Sequence, residues 1–301
     1  MPEVIPSLET CNPPMNYRHA YHAGNFADVF KHAVLARIIL HLQKKDAAFR
    51  FIDIHAGRGA YDLSAIEAQK TGEWRGGIGR LLAARLPETV KDLIAPYLDS
   101  IVATSQAPLV EGMPPKRYPG SPAVMHYLAR HNDRLTLTEL HPVDHAALAA
   151  RYAGDFKVKV IELDGWLALK GFLPPKERRG LILIDPPFEE ENEFERVVAG
   201  LTEAHKRFAT GVVMIWYPIK DPREAKRFQD AVIATGIRKI LSAELAVRHP
   251  TPDGTLSANG LLIVNPPWML EAEIRTMAPV LAEVMATGPG ASASVDWLVP
   301  E

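Results

Sequence analysis

Cysteine is nearly absent. Cys11 is the only one in 301 residues, so the chain can form neither an internal disulfide nor a multi-cysteine zinc or iron–sulfur site. Long apolar runs are also lacking: the longest stretch, from Gly211 to Ile219, falls well short of the ~18 residues a membrane helix needs. The opening Met-Pro-Glu-Val-Ile-Pro has no basic region leading into an apolar one, unlike a secretory leader. Nor is one sign of charge in large excess. The net charge of −2 excludes a globally basic nucleic-acid binder. These absences predict a cytoplasmic protein with no membrane contact. What is present is ordinary globular usage, 47% hydrophobic and 23% charged, which is too apolar for a disordered chain.

The charge is nevertheless uneven. Residues 15–45 carry five Lys/Arg against the single acid Asp28, with His19, His22, His32 and His41 among them. Residues 204–239 carry eight Lys/Arg against three acids. Two such stretches are either ordinary solvated helix faces or, if they converge, a phosphate-binding face.

Strand signals alternate with helix-length segments. Runs at 49–54, 134–139, 157–161, 181–184, 212–216, 239–247 and 261–264 are β-rich. Residues 181–184 are continuously apolar, as in a strand buried on both faces. Amphipathic segments at 27–44, 122–130, 143–152, 193–208, 222–234 and 271–285 fill the intervals. This rhythm predicts an α/β fold with a doubly wound, mainly parallel, seven-stranded sheet covered by helices on both faces. Residues 63–115 hold no strand signal and are too long for a βα connection, which predicts a small helical insertion. The core would then be residues 16–62 and 116–301. The leading residues 1–15, with four prolines, would be a flexible extension.

Three constellations carry chemistry. Asp53-Ile-His55-Ala-Gly57-Arg-Gly59 follows the first strand, where paired glycines let a ligand approach the backbone and a helix N-terminus. A third glycine at dinucleotide spacing is missing, since Asp62 stands there, and no phosphate-loop lysine follows. Glu139 and Asp164-Gly165 end the next two strands, the position from which carboxylates in a doubly wound sheet meet a ribose diol and an adenine amino group. Each alone could be a turn or cap residue. Their order after a glycine turn matches the way S-adenosylmethionine is held in Rossmann-like methyltransferases. The sharpest signal is Asp185-Pro186-Pro187-Phe188 directly after 181–184. An amino nitrogen conjugated to a ring is a poor nucleophile. A carboxylate and a carbonyl accepting its two N–H hydrogens draw it toward sp³ geometry and localise the lone pair. The prolines stiffen the loop and offer no competing N–H, and Phe188 offers a stacking face.

A second copy of this pattern, Asn265-Pro266-Pro267-Trp268, ends the seventh strand signal. In a doubly wound sheet the fourth strand lies beside the glycine-loop strand and the seventh lies further out, which favours Asp185. His141 and His145 bracket Asp144 but lack the glutamate of a His-Glu-x-x-His zinc site, so no metal is expected. Glu189, Glu190, Glu191 and Glu193 read as the solvated first turn of a helix.

With these residues in view, the chain resembles the bacterial ribosomal large-subunit RNA methyltransferase J family, from about Met15 to the C-terminus. The matching stretches are Tyr17-Arg-His-Ala-Tyr-His-Ala-Gly-Asn-Phe-Ala-Asp-Val-Phe-Lys-His32, Asp53-Ile-His-Ala-Gly57, Thr71-Gly-Glu-Trp74, Tyr118-Pro-Gly-Ser-Pro122, Leu137-Thr-Glu-Leu-His-Pro142, Arg179-Gly-Leu-Ile-Leu-Ile-Asp-Pro-Pro187 and Thr235-Gly-Ile-Arg-Lys-Ile240. The resemblance implies a Rossmann-like class I fold, S-adenosylmethionine as cofactor, and methylation of N6 of one adenine in 23S ribosomal RNA. The substrate would be protein-free RNA or an early assembly intermediate, and the enzyme a monomer. By the same resemblance the cofactor contacts fall on His32 with Lys31 beside it, His55, Ser121, Glu139, Asp164 and Gly165, to which the reading of the glycine turn and of the Asp-Pro-Pro loop adds Gly57 and Asp185. The amine acceptor falls on Asp185, and Tyr17 and His19 belong to an RNA-contacting segment over the active site. The family often has tyrosine where this chain has Phe188, which keeps the stacking face and loses the hydroxyl. The four-residue loop alone also suits a DNA adenine or protein glutamine methyltransferase. An RNA-binding module that has lost catalysis is a further alternative, against which the intact Gly57, Glu139, Asp164 and Asp185 stand.

Overall fold

The computed structural model describes residues 18–111 and 113–301. Tyr17, Cys11 and the expected extension at 1–15 lie outside the described residues. In chain order the elements are α1 (Phe26–Gln43), β1 (Arg50–Asp53), β2 (Ala60–Asp62), α2 (Ile66–Thr71), α3 (Ile78–Ala83), α4 (Glu88–Ser105), β3 (Arg117–Pro119), α5 (Ser121–Leu128), β4 (Arg134–Glu139), α6 (Pro142–Arg151), β5 (Val158–Glu162), α7 (Gly165–Phe172), β6 (Gly180–Ile184), α8 (Glu193–Arg207), β7 (Val212–Ile219), α9 (Pro222–Ala234), β8 (Ile240–Ala246), β9 (Ala258–Val264), α10 (Leu270–Val284) and β10 (Ser292–Val299).

The main sheet has the order β10-β8-β9-β7-β6-β1-β4-β5, and β2 and β3 form a separate ribbon. Strands β7, β6, β1, β4 and β5 run parallel, whereas β9 is antiparallel to both β7 and β8, and β10 is antiparallel to β8. The sheet therefore has eight strands where the sequence led us to expect seven. The extra one, β10, is an edge strand with a single fully buried residue, Val295. Its period-2 apolar positions Ala293, Val295 and Trp297 are spaced by Ser294 and Asp296, a pattern weaker than the core strands show. Helix α7 was also unforeseen, because its eight residues begin and nearly end in glycine.

Strand β6 explains the continuous apolar run. Leu181 and Leu183 join the core on one face, with residues of α1, α4, α5 and α10, while Ile182 and Ile184 join the core on the other, with α7, α8 and α9. Alternate side chains leave opposite faces of a strand, so a strand covered on both sides must be apolar throughout. Helix α1 is buried nearly all round, packing on α4, α5, α10 and β9. Residues 63–115 hold α2, α3 and α4. Ile94, Tyr97 and Ile101 of α4 belong to the same core as the sheet.

The chain runs from β1 outward to β4 and β5 on one side, then crosses back to β6 on the other. This is the switch point at which open α/β sheets form a crevice past their strand ends. Register makes the crevice rim explicit. Asp53 pairs with both Leu183 and Leu137, and Glu139 pairs with Glu162. His55, Asp185 and Glu139 therefore leave the sheet at one level, with Asp164 two residues past Glu162.

Candidate active site

A cavity of about 1790 Å³ opens at these strand ends. It exceeds the 300–1,000 Å³ of an ordinary small-ligand pocket, so it has room for a cofactor and part of a second, larger molecule. Its lining includes His19, Lys31, His32, His55, Gly57, Ser121, Glu139, Asp164, Gly165, Asp185, Pro186, Pro187 and Phe188, so every candidate residue among those described is brought together there.

The glycine turn is a close-approach device. Gly57 has φ +59°, and a Cβ there would sit 2.4 Å from the Tyr61 hydroxyl, while a Cβ on Gly165 would sit 2.2 Å from the Ile54 carbonyl oxygen. Both positions thus exclude side chains and bring backbone to the cavity wall. The Gly57 N–H donates to Glu139 Oε2 at 2.7 Å, and the His141 N–H donates to Oε1 at 2.7 Å. Burial raises the Glu139 pKa, and these two hydrogen bonds hold it back. Asp164 caps α7 by accepting from the Trp166 and Leu167 N–H groups through Oδ1. It is therefore a cap residue and a cavity residue at once. Ser121 Oγ donates to Asp53 Oδ2 at 2.6 Å. Asp53 is fully buried, and burial lifts its carboxyl to about 7 despite hydrogen bonds from Ser121 and the His55 N–H.

Two histidines are held neutral. Burial lowers His55 to about 3, and its Nδ1 accepts from the Asp185 N–H at 3.3 Å. Burial likewise lowers His32 to about 3. Its Nδ1 lies 3.2 Å from the Tyr118 hydroxyl, which in turn meets Tyr97 at 2.9 Å. The other ring nitrogen, Nε2, is buried with no hydrogen-bond partner among the described residues.

The basic stretch at the start of the chain acquires a specific meaning. Asn25 caps α1 by accepting from the Asp28 N–H. One turn on, Lys31 Nζ lies 3.0 Å from Asp28 Oδ1 and 2.6 Å from Asp185 Oδ2. Asp28 Oδ2 takes His19 Nε2 at 2.9 Å and the Gly24 N–H at 2.9 Å. Burial alone would pull the Lys31 pKa down, but the two carboxylates outweigh it and push it up. Asp28 moves the opposite way: its burial is overcome by His19 and Lys31, and it stays well below the usual carboxylate range. Removing one partner of such a buried pair costs roughly 3–5 kcal/mol, so Asp185, Lys31 and Asp28 depend on one another, with His19 at the far end of the chain of contacts.

Phe188 adopts φ 52°, an uncommon left-handed conformation for an aromatic residue. It turns its ring onto Phe194 and Trp216, with centroids at 5.0 and 5.7 Å. Trp216, Asp28 and Tyr61 line the cavity and were not singled out from sequence. Asp28 left a trace, as the lone acid one helical turn before Lys31. Trp216 left none, because it reads simply as a strand residue. Glu193 corrects an expectation. It is buried against the cavity rather than solvated, 3.4 Å from Arg196, whereas Glu189, Glu190 and Glu191 are exposed. His141 caps α6 by accepting from the Asp144 N–H, and His145 turns to Glu162 at 3.7 Å. Among the described residues no group of three or more His, Cys, Asp or Glu could hold a metal ion.

Asn265 has the opposite fate to Asp185. Because β9 is antiparallel to β7, with Val264 paired to Val213, it leaves the sheet at the far end. Its side-chain amide donates to the Ala209 and Gly211 carbonyls, both at 2.8 Å.

A glycine turn after the first strand, carboxylates after the next two and Asp-Pro-Pro-Phe after the strand beside the first define a Rossmann-like class I methyltransferase fold. The family model for ribosomal RNA large subunit methyltransferase D, RlmJ, matches residues 46–299. The chain is 42% identical over 288 residues to ribosomal RNA large subunit methyltransferase J of Haemophilus influenzae, and 40% identical over 287 residues to the Escherichia coli K12 protein of that name. In each case the match covers 95% of this chain and all of the relative. A crystal structure of a Legionella pneumophila protein superposes with a TM-score of 0.81 at 32% identity, covering 92% of this chain and 98% of that one. The chain belongs to the ribosomal RNA large subunit methyltransferase J family.

Proposed function

We propose that this protein transfers a methyl group from S-adenosylmethionine to N6 of an adenine in 23S ribosomal RNA. The observation that carries this reading is the position of Asp185-Pro186-Pro187-Phe188, which shares one cavity with the glycine turn and is tied through Asp185 to a buried lysine. The relatives' names supply the large-subunit RNA.

The residues present fit the methyl donor. His32 Nε2 is a buried polar atom in want of a partner, suited to the donor's amino-acid end. Glu139 suits the ribose diol, Asp164 the adenine amino group, and Gly57 and Gly165 allow backbone contact. When bound, S-adenosylmethionine supplies an electrophilic sulfonium methyl.

The chain's own residues then have distinct tasks. Asp185 and the Pro186 carbonyl accept the two amino hydrogens of the target base and orient its lone pair. Lys31 holds the Asp185 carboxylate in place through its 2.6 Å contact. The His55 ring, held neutral, accepts the Asp185 N–H and fixes the start of the loop. Phe188 stacks the base, worth about 1–3 kcal/mol, and Trp216 supports that ring. A base drawn from a stack or pair costs a few kcal/mol to extrude, which stacking offsets in part. The proton leaves after methyl transfer, so Asp185 need not be a strong base. His19 lines the site and is tethered to Asp28, and the family resemblance assigns Tyr17 to the same RNA-contacting segment.

The test is transfer of label from methyl-tritiated S-adenosylmethionine to unmodified 23S RNA, ribosomal subunits, genomic DNA and peptide, with Asp185→Ala as control. Label confined to RNA, lost in the variant and recovered as N6-methyladenosine, is the expected result. Label in DNA or protein would move the activity to another planar amino group. Bound cofactor with no label on any substrate would favour an inactive binding module.

A further inference from the structure

Seven of the thirteen Lys and Arg at 15–45 and 204–239 meet a carboxylate. Arg18 pairs with Glu67, Lys31 with Asp28 and Asp185, Arg37 with Glu273, Arg207 with Glu203, Arg223 with Asp221, Lys226 with Asp230 and Lys239 with Glu301. Lys220 is among the rest. It is exposed at the end of β7, lines the cavity, and has no carboxylate within ion-pair distance among the described residues. Arg248, from the connection between β8 and β9, also lines the cavity. Its guanidinium donates one hydrogen bond, to Thr251 Oγ1 at 3.3 Å, and forms no ion pair among the described residues. Glu73, the nearby acid in the lining, is already engaged by His22 and Asn25 at 2.9 and 3.0 Å.

Topology brings these two cations together. Ile219 pairs with Ala258, and Ala258 pairs with Ala246. Three strand ends therefore lie side by side, and the outer two are about 10 Å apart at ~4.8 Å per strand. Lys220 is the first residue past one and Arg248 the second past the other. They stand on the β7–β8 flank of the cavity, whereas Glu139 and Asp164 stand on the β4–β5 flank, with the Asp185 loop between. The cavity thus has carboxylates suited to a nucleoside on one flank and, on the other, two cations that form no ion pair among the described residues.

We propose that Lys220 and Arg248 form a phosphate subsite that holds the RNA backbone flanking the target adenine. This rests on the reading of the chain as an RNA methyltransferase and adds where the substrate strand runs: past Phe188 and Trp216 and over the ends of β7 and β8. Two cations spaced across three strand ends can grip successive phosphates, while the base between them enters toward Asp185.

The test is methyl-transfer kinetics on unmodified 23S RNA across a salt series for Lys220→Gln, Arg248→Gln and the double variant. Arg223→Gln, which removes an exposed cation already paired with Asp221, is the control. Each single variant is expected to raise KM for RNA by about 3- to 10-fold, and to lower the slope of log affinity against log salt by about 0.7, the value for one single-strand phosphate contact. Saturating kcat and the S-adenosylmethionine-induced rise in Tm should stay at wild-type values, as should all parameters of Arg223→Gln. The charge-keeping Lys220→Arg and Arg248→Lys should retain most of the wild-type KM. Unchanged KM and salt slope in the glutamine variants would overturn the subsite, as would a fall in kcat at constant KM. Failure of the underlying reading is seen separately, as wild-type protein that labels DNA or peptide and not RNA.

Discussion

The chain carries two loops of nearly the same composition, Asp185-Pro186-Pro187-Phe188 and Asn265-Pro266-Pro267-Trp268, and they lie at opposite ends of one sheet. Each follows a buried strand, and each contains a residue with φ near +52°, Phe188 in the first and Asn265 in the second. Their surroundings share nothing else. Asp185 meets a buried ammonium and a neutral imidazole at the mouth of a large cavity. Asn265 donates to two backbone carbonyls in the preceding α8–β7 turn, and Trp268 is 93% exposed. The difference comes from strand direction: β6 is parallel to β1, and β9 is antiparallel to β7. A motif that polarises an amine does so only where its strand delivers it to the crevice.

The largest effect that would break this contrast concerns catalysis. Asp185→Ala is expected to lower kcat by about 10²–10³-fold, the usual consequence of removing one polar group that acts on the reacting atoms. Asn265→Ala should leave kcat at the wild-type value in the same label-transfer assay. Asp185→Asn refines the point, since full kcat in that variant would show the charge to be irrelevant. Next in size is stacking. Phe188→Ala should weaken RNA binding by about 1–3 kcal/mol, read as KM for RNA, whereas Trp268→Ala should leave KM unchanged. Equal losses would put both loops on the substrate path.

Stability reverses the ranking of the two loops. Asn265→Ala removes two hydrogen bonds at about 1 kcal/mol each and should lower the urea midpoint without touching activity. The last contrast is a pH slope at the catalytic end alone. Asp53 has a folded pKa of about 7, above its unfolded value near 3.8. Between those two pH values the folded state binds more protons, so this carboxyl makes stability fall as pH rises. Asp53→Asn lacks that slope. The urea midpoint of the cofactor-free wild type should therefore drop relative to the variant between pH 5 and 7.5. Parallel curves would mean that Asp53 is ionised throughout.

Much of the site was legible because its parts are local. The Asp185 loop, the glycine turn and the acids at 139 and 164 each sit directly after a strand whose pattern marks it. Strand order in the sequence favours Asp185 over Asn265, and the antiparallel direction of β9 is the stronger reason that Asn265 lies away from the cavity. Partners distant in the chain were hidden. The contact between Lys31 and Asp185 spans 154 positions, and nothing in a run of lysines, arginines and histidines says which one will be buried. Trp216 was read as an ordinary strand residue, since the ring that meets it belongs to another loop. Glu193 was read as solvated because a helix N-terminus usually is. Its burial is imposed by the cavity wall.

Sequence by itself determined the local order of strands, turns and stiff loops, because side-chain period, glycine freedom and proline geometry act over a few residues. It determined that the fourth strand would be covered on both faces, and so where the Asp185 loop begins. Tertiary structure alone decided which basic residues keep their charge for a ligand, which acid pairs with Lys31, and which end of the sheet each Pro-Pro loop faces. Those outcomes depend on strand direction and register, and each is set by contacts between segments far apart in the chain.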